Sequence, residues 1–423
     1  MKITLISTYD LGRQPFGLAS PAAWLRRAGH QVECTDLAVA PLTKSAIGDA
    51  DAIAFFLPMH TATRLALPVI DRVRRLNPSA RLIAYGLYAP LSAEVLREHG
   101  VHSIAGGEFE AELVKFASGE SPAEISLDRL QFLTPDRTGL NGAYARLQVL
   151  GGSRQVAYTE ASRGCKHMCR HCPVVPIYQG NFRVVQRDVV LSDIRQQVAA
   201  GAQHVTFGDP DFFNGPTHAM RIVEELHREF PSVTYDATIK IEHLLKHRDL
   251  LPRLRETGCL FVISAVESVD DRVLEKLEKN HTRRDFYEVA AQMCIAGLTL
   301  QPTFIPFTPW TTIQGYRDLL RAIADLDLVE NVAPVQLALR LLVTAGSGLR
   351  ELPEFAGGSA WYNADDAVEK LHQRVFGLVA ARSNQNTSRT EIFTEICAIA
   401  GYVPNFNLLP RAAIPYLDEP WYC

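Results

Sequence analysis

The sequence predicts an α/β chain in two parallel-sheet units: an N-terminal doubly wound sheet, then a partial barrel of six strand-helix repeats, then a mostly helical and irregular tail. Three observations carry this. Short apolar runs alternate with amphipathic helical patterns from Met1 to about Ser118, the alternation resumes on a longer beat from about Val156, and prolines and glycines punctuate the stretch between. Alternating strands and helices build open parallel sheets or barrels. The expected boundaries are 1–118 for the first domain, 119–155 for a linker, 156–355 for the barrel and 356–423 for the tail.

In the first domain, Lys2 to Ser7 reads as a strand. Pro21 to Ala28 reads as a helix with proline near its start and Gly29 just past its end. Strands follow at His30–Leu37, Ala52–Leu57, Leu82–Tyr85 and His102–Ala105, with helices through Leu65, Val69, Ile70 and Val73 and at Leu91–His99. Ligands of such sheets bind beyond the carboxyl ends of the strands, where Tyr9, Gly12, His60, Gly86, Gly106 and Gly107 fall. No Gly-x-Gly-x-x-Gly follows the first strand, which argues against a dinucleotide site. Residues 119–155, with Pro122, Pro135, Gly139, Gly142, Gly151 and Gly152, read as a connection with little regular structure.

From Val156 to Thr159 a strand leads into Cys165-Lys166-His167-Met168-Cys169-Arg170-His171-Cys172. Further strands are expected at His204–Phe207, Thr234–Thr238, Leu260–Val266, Leu298–Ile305 and Val335–Leu342. Helices at Val189–Ala200, His218–Phe230, Lys246–Glu256, Asp271–Glu278, Arg284–Ala296 and Ile313–Leu326 separate them. Six strands fit an incomplete barrel better than an eight-fold one. In the tail, Ala364–Ser383 reads as a helix with Val368, Leu371, Val375, Leu378 and Val379 on its core face, and Gly401–Pro420 as irregular.

Composition narrows the function. With 47% hydrophobic and 21% charged residues the chain has an ordinary soluble composition, and a net charge of -4 gives no electrostatic footprint for nucleic acid. No apolar run is long enough to span a bilayer and the N-terminus reads as a strand, so no membrane association and a cytoplasmic location are expected. Eight cysteines in 423 residues are too few for a disulfide scaffold. Cys34, Cys259, Cys294 and Cys397 stand singly, as buried small apolar residues do.

Three thiols spaced three and then two residues apart can close on one soft-metal centre. A 4Fe-4S cluster takes four cysteines, so three leave one iron open. Structural zinc, with His167 or His171 as fourth ligand, is the competing reading. The loop stands at the carboxyl end of the first barrel strand, where barrels carry their chemistry. The other strand ends bear Gly208, Asp209 and Asp211; Glu267 and Ser268; Pro306 and the Phe307-Thr308-Pro309-Trp310 turn; and Arg340. Singly these are helix caps, a surface acid and an ion-pair partner. Together they describe a pocket for a zwitterionic nucleoside: Gly208, Asp209 and Asp211 for an amino group, Arg340 for a carboxylate, Glu267 for ribose hydroxyls.

The cysteine loop at the first strand of a six-stranded barrel resembles the radical S-adenosylmethionine (radical SAM) superfamily, and Gly208 to Asn214 and Ala265-Val266-Glu267-Ser268 look like its amino-group and ribose motifs. The N-terminal domain, ending in Ala105-Gly106-Gly107-Glu108-Phe109-Glu110, looks like the Rossmann-like cobalamin-binding domain of one subclass. An Asp-x-His-x-x-Gly cobalt-ligand signature is absent, which leaves the lower cobalt face to His60 or Arg64. The closing Asp418-Glu419-Pro420-Trp421-Tyr422-Cys423, with Gln336-Leu337-Ala338-Leu339-Arg340-Leu341-Leu342 upstream, resembles the CUAEP/CCAEP-tail group, whose members continue past this cysteine with a second cysteine or a selenocysteine; readthrough of a UGA codon as selenocysteine after Cys423 is expected here.

The resemblance implies a 4Fe-4S cluster on Cys165, Cys169 and Cys172, S-adenosylmethionine on the open iron, and an external electron donor of flavodoxin or ferredoxin type. With cobalamin bound, it implies methyl transfer to a small-molecule substrate. The tail suggests an alternative, transfer of a methyl or aminocarboxypropyl group to arsenic or another soft element. A non-catalytic cobalamin- or metal-binding regulator is the alternative of another class.

Overall fold

The computed structural model describes residues 1–382, 387–404 and 414–418. The first sheet is made by β1 (Lys2–Ser7), β2 (Gln31–Asp36), β3 (Ala52–Phe56), β4 (Arg81–Tyr85), β5 (Ser103–Gly107) and β6 (Ile125–Ser126), in the order β2-β1-β3-β4-β5-β6. All its pairings are parallel. Alternate residues feed two cores. Leu5, Ala54, Phe56 and Tyr85 pack under the helices Phe16–Arg27 and Phe109–Ala117, whereas Ile6, Ile53, Phe55 and Ala84 pack under the helix His60–Leu76 on the other face. The chain order reverses between β1 and β3, and that switch point is where such sheets bind ligands.

The second sheet runs β14-β13-β12-β11-β8-β7-β15. Its members are β7 (Arg146–Val149), β8 (Gly152–Thr159), β11 (His204–Phe207), β12 (Thr234–Thr238), β13 (Cys259–Glu267), β14 (Thr299–Phe304) and β15 (Tyr416–Leu417); a small antiparallel pair, β9 (Ser162–Gly164) with β10 (Phe182–Val184), carries the chain into and out of the cysteine loop. β8 and β11 to β14 are parallel. Val205, Phe207, Tyr235, Ala237, Val262 and Leu300 pack against the surrounding helices. The intervening His204, Thr206 and Asp236 bond to one another on the opposite face, His204 Nε2 lying 2.9 Å from Asp236 Oδ2.

The α/β class and the two-sheet order hold, and four local expectations change. The sixth barrel strand at Val335–Leu342 is a 3-10 turn at Pro334–Leu337 and a single bridge between Phe307 and Arg340, so five parallel strands remain. Residues 119–155 are not bare linker, because β6 extends the first sheet and β7 the second. The helix expected over Lys246–Glu256 is broken at His247–Leu250. The helix expected from Pro21 begins at Phe16 and carries Pro21 inside it. Proline has no N–H to give the carbonyl four residues back, and that carbonyl, of Gly17, instead accepts from the Tyr85 hydroxyl at 2.8 Å.

Beyond the barrel, Asp366–Arg382 forms the expected helix with Val368, Leu371, Val375 and Val379 buried. A second helix, Arg389–Ala400, opens with a capping box between Ser388 and Glu391. β15 pairs with β7 at one edge of the sheet while the Pro415 carbonyl accepts from Gln301 of β14 at the other, so the tail straps the two edges together. Among the described residues no helix is long and apolar enough to cross a membrane.

Candidate active site at the cysteine loop

The loop is held from three sides. Gly164, with φ 76°, precedes Cys165, and a Cβ there would fall 2.5 Å from the Asn181 carbonyl and 2.4 Å from the Tyr178 ring, so only glycine fits. Asn214, after β11, accepts from the Lys166 N–H and donates to the Gly164 carbonyl. Arg170 bonds the Lys276 carbonyl and pairs with Glu278 at 2.7 Å, and its own carbonyl accepts from Ser347. Leu87, Leu91 and Leu127 join the apolar cluster around Val174, Ile177 and Tyr178 that Cys165 and Cys172 also touch.

The three cysteines are free thiols. Burial raises Cys165, and burial with the charges of Cys169 and Cys165 pushes Cys172 up to about 12. Thiols so placed lose their protons when a metal takes them. Lys279, buried behind the loop, bonds Glu267 Oε1 at 3.3 Å. Burial works against its charge, but Glu267, Cys169 and Cys172 together raise it. Glu267 sits at a bulge of β13 with φ 67° and also meets His171 Nε2 at 3.1 Å. Burial would raise its carboxyl, yet Lys279 and His171 hold it down to about 2. His281 is lowered to about 4 by burial and by Lys279, and bonds the Val266 carbonyl. A clustered trio of thiols, apolar walls and buried ammonium charge suit an anionic iron-sulfur centre.

The other expected residues divide. Asp211 comes to the loop: its Oδ2 lies 2.7 Å from His243 Nδ1 and 3.6 Å from His167 Nε2, while Oδ1 accepts from Phe213 N–H. Asp209 is spent inside the protein, accepting from Ala161 N–H and Ser162 Oγ, and burial raises it to about 7. Gly208 makes room for the Tyr158 hydroxyl, which would lie 2.0 Å from a Cβ there. Ser268 caps Asp270 N–H, and the Pro306 carbonyl accepts from Thr311. Arg340, expected to hold a carboxylate, closes instead on Glu369 at 2.6 and 3.0 Å and stacks on Trp361 at 3.9 Å. Trp310 packs edge-on against Phe355. Lys279, His243 and His281 escaped the sequence reading, since nothing in their local pattern marks them.

In the first domain a cavity of about 570 Å³ opens at the switch point, lined by Thr8, Tyr9, Gly12, Leu65, Val69 and Tyr144 among others. Its mixed polar and apolar wall suits part of a large ligand, so Tyr9 and Gly12 stand where a ligand is expected. Gly86, Gly106 and Gly107 make room chiefly for the chain itself, against the Leu57 carbonyl, Pro90 and the Ser126 carbonyl. His60 and Arg64 are exposed at the start of their helix. A larger cavity of about 810 Å³ lies at the opposite, amino-terminal ends of β4 and β5. Cys423 lies outside the described residues.

Residues 159–321 match the family model described as the Radical SAM superfamily. The chain carries a radical SAM domain. The hopanoid C-3 methylase of Methylococcus capsulatus is 24% identical over 322 residues, 70% of this chain and 62% of that protein. The ribosomal protein uS12 methylthiotransferase RimO of Parabacteroides distasonis is 27% identical over 195 residues, 42% of this chain and 43% of that one. The chain thus aligns with less than two thirds of either relative. Among solved structures, the radical S-adenosylmethionine methyltransferase TsrM from Kitasatospora setae, with cobalamin and a 4Fe-4S cluster bound, superposes with a TM-score of 0.62 at 14% identity over 82% of this chain and 73% of that one. The cobalamin-dependent S-adenosylmethionine radical enzyme OxsB, with aqua-cobalamin bound, does so with a TM-score of 0.69 at 14% identity over 95% of this chain and 71% of that one. Both superpositions extend beyond the radical SAM domain, so the shared fold includes the N-terminal sheet.

Proposed function

We propose that this protein is a cobalamin-dependent radical SAM methyltransferase acting on a small molecule. The observation that carries the reading is the three-cysteine loop at the carboxyl end of β8, with Leu87, Leu91 and Leu127 from the first domain's side packed beside it. A cluster on Cys165, Cys169 and Cys172 would bind and reductively cleave S-adenosylmethionine, and cobalamin at the β1/β3 switch point would carry the methyl group. The chain's own residues prepare this ground. Asn214, Arg170 and Gly164 fix the loop, Leu87, Leu91 and Leu127 pack the apolar cluster that Cys165 and Cys172 touch, and Lys279 places a cation beside Cys169 and Cys172. Glu267 and Ser268 lie on the rim where S-adenosylmethionine would bind. Electrons would come from a flavodoxin- or ferredoxin-type donor. The soft-element alternative rests on tail residues outside the described ones and gains no support from the site.

The test is anaerobic purification with cluster reconstitution, spectroscopy for bound cobalamin, and mass analysis of products from methyl-labelled S-adenosylmethionine. Four irons with matching sulfide per chain, bound cobalamin and 5'-deoxyadenosine or S-adenosylhomocysteine are expected. Zinc without labile sulfide would refute the reading.

A further inference from the structure

Beside the cysteine loop, three buried side-chain atoms lack a partner in hydrogen-bond geometry: His167 Nε2, His243 Nδ1 and Asp211 Oδ2, the two nitrogens lying 3.6 and 2.7 Å from that oxygen. Their side chains are only 10%, 7% and 2% exposed. Buried polar atoms left in this state call for an explanation. Asp211 is not adrift, since its Oδ1 is fixed by Phe213 N–H, which aims Oδ2 at the two imidazoles. The imidazole rings lie 4.8 Å apart between centroids. On its far side His167 Nδ1 lies 3.5 Å from Glu242 Oε2, the carboxylate-behind-histidine arrangement that orients metal-bound imidazoles.

We propose that His167, His243 and Asp211 bind one divalent transition-metal ion of the zinc or ferrous class, distinct from the cluster on the cysteines. Ligands about 2.0–2.1 Å from such an ion stand about 2.9–3.4 Å from each other, and the observed separations of 2.7 and 3.6 Å from Asp211 Oδ2 bracket that span. Two histidines and one carboxylate are the donor set of zinc and non-haem ferrous sites. The charge is right: Asp211 and Glu242 against Lys240, which pairs with Glu242 at 3.4 Å, leave the neighbourhood one negative charge in excess. Three protein ligands leave positions for water or for an oxygen or nitrogen donor of a bound small molecule.

The donor atoms of Cys165, His167 and Asp211 lie within 4.8 Å of one another, a group that does not include His243, so the site must be tested with that thiol already claimed by the cluster. The inference rests on the cluster assignment in this one respect, and iron and sulfide are measured separately. Anaerobic protein with reconstituted cluster, washed with chelator, is titrated with Co(II). The expected result is one Co(II) per chain with visible d–d bands and no sulfur-to-cobalt charge transfer. Affinity should fall at least about tenfold in Asp211→Asn, which keeps the Phe213 cap, and in His243→Gln, with iron and sulfide unchanged. Absence of saturable binding, equal affinity in His243→Gln, or a sulfur charge-transfer band would each overturn the proposal. Should Asp211→Asn lose its cluster, His243→Gln decides, because its helix does not carry the cysteines.

Discussion

Lys279 shows how one residue can set the electrical character of the site. It is a buried ammonium that bonds Glu267 Oε1 at 3.3 Å and whose charge is felt by Cys169 and Cys172. Reducing a cluster adds negative charge, so a nearby cation favours the reduced form. Lys279→Met is therefore expected to lower the cluster's potential by on the order of 50–100 mV, read by potentiometric titration of the reduced cluster's paramagnetic signal. An unchanged potential would mean that Glu267 absorbs the whole charge. The cysteine loop stood out in the sequence because three thiols at that spacing can serve one cluster. Lys279, His243 and His281 were not, because they meet the loop only when β12 and β13 lie side by side. The pairing of Arg340 with Glu369 was hidden for the same reason, since Glu369 comes from a helix 29 residues away.

Elements succeed or fail on single backbone positions. A Cβ at Gly164 would collide with the Asn181 carbonyl and the Tyr178 ring at a positive φ, so Gly164→Ala is expected to displace Cys165. Iron content after reconstitution should fall by more than about half while the far-ultraviolet circular dichroism stays native. Full iron incorporation would refute this. In the first helix, Tyr85→Phe leaves the Gly17 carbonyl with neither its helical donor nor its substitute, and should cost about 1–2 kcal/mol in denaturant melts; no change would show that water replaces the hydroxyl. β1 to β5 were legible to within two residues, β1, β3 and β5 as short apolar runs buried on both faces, whereas the two-residue β6 was not. The helix around Pro21 started earlier than its sequence signal because a tyrosine from β4 supplies the donor that proline removes, a tertiary compensation no local pattern shows. A sixth barrel strand was expected over Val335–Leu342, yet among the described residues only Arg340 bridges to Phe307 there.

At the scale of the molecule, one guanidinium ties the two sheets. Arg163 of β9 meets Glu110 at 2.6 and 2.9 Å, Glu108 at 3.3 Å and Glu160 at 2.6 Å, and lies over the rings of Phe16, Phe109 and Phe132. Three carboxylates around one buried cation cannot all ionise cheaply. Burial raises Glu108 from 4.5 to about 7 despite Arg163, with Glu110 adding to the rise. It therefore keeps its proton in the folded protein at mildly acidic pH. Because the folded state holds this proton more tightly than the unfolded chain, the stabilisation is fully present below about pH 4.5 and is lost as pH rises through about 7. Glu108→Gln imitates the protonated carboxyl at every pH. Its stability relative to the unaltered protein should consequently increase between pH 5 and pH 8, by at most about 3 kcal/mol, measured as the difference in unfolding free energy of the two proteins in parallel denaturant melts. Other titrating groups cancel in that difference. A difference that stays flat across the range would place the shared proton elsewhere in the Glu108, Glu110 and Glu160 group, and a difference that shrinks would show that Arg163 keeps Glu108 ionised throughout.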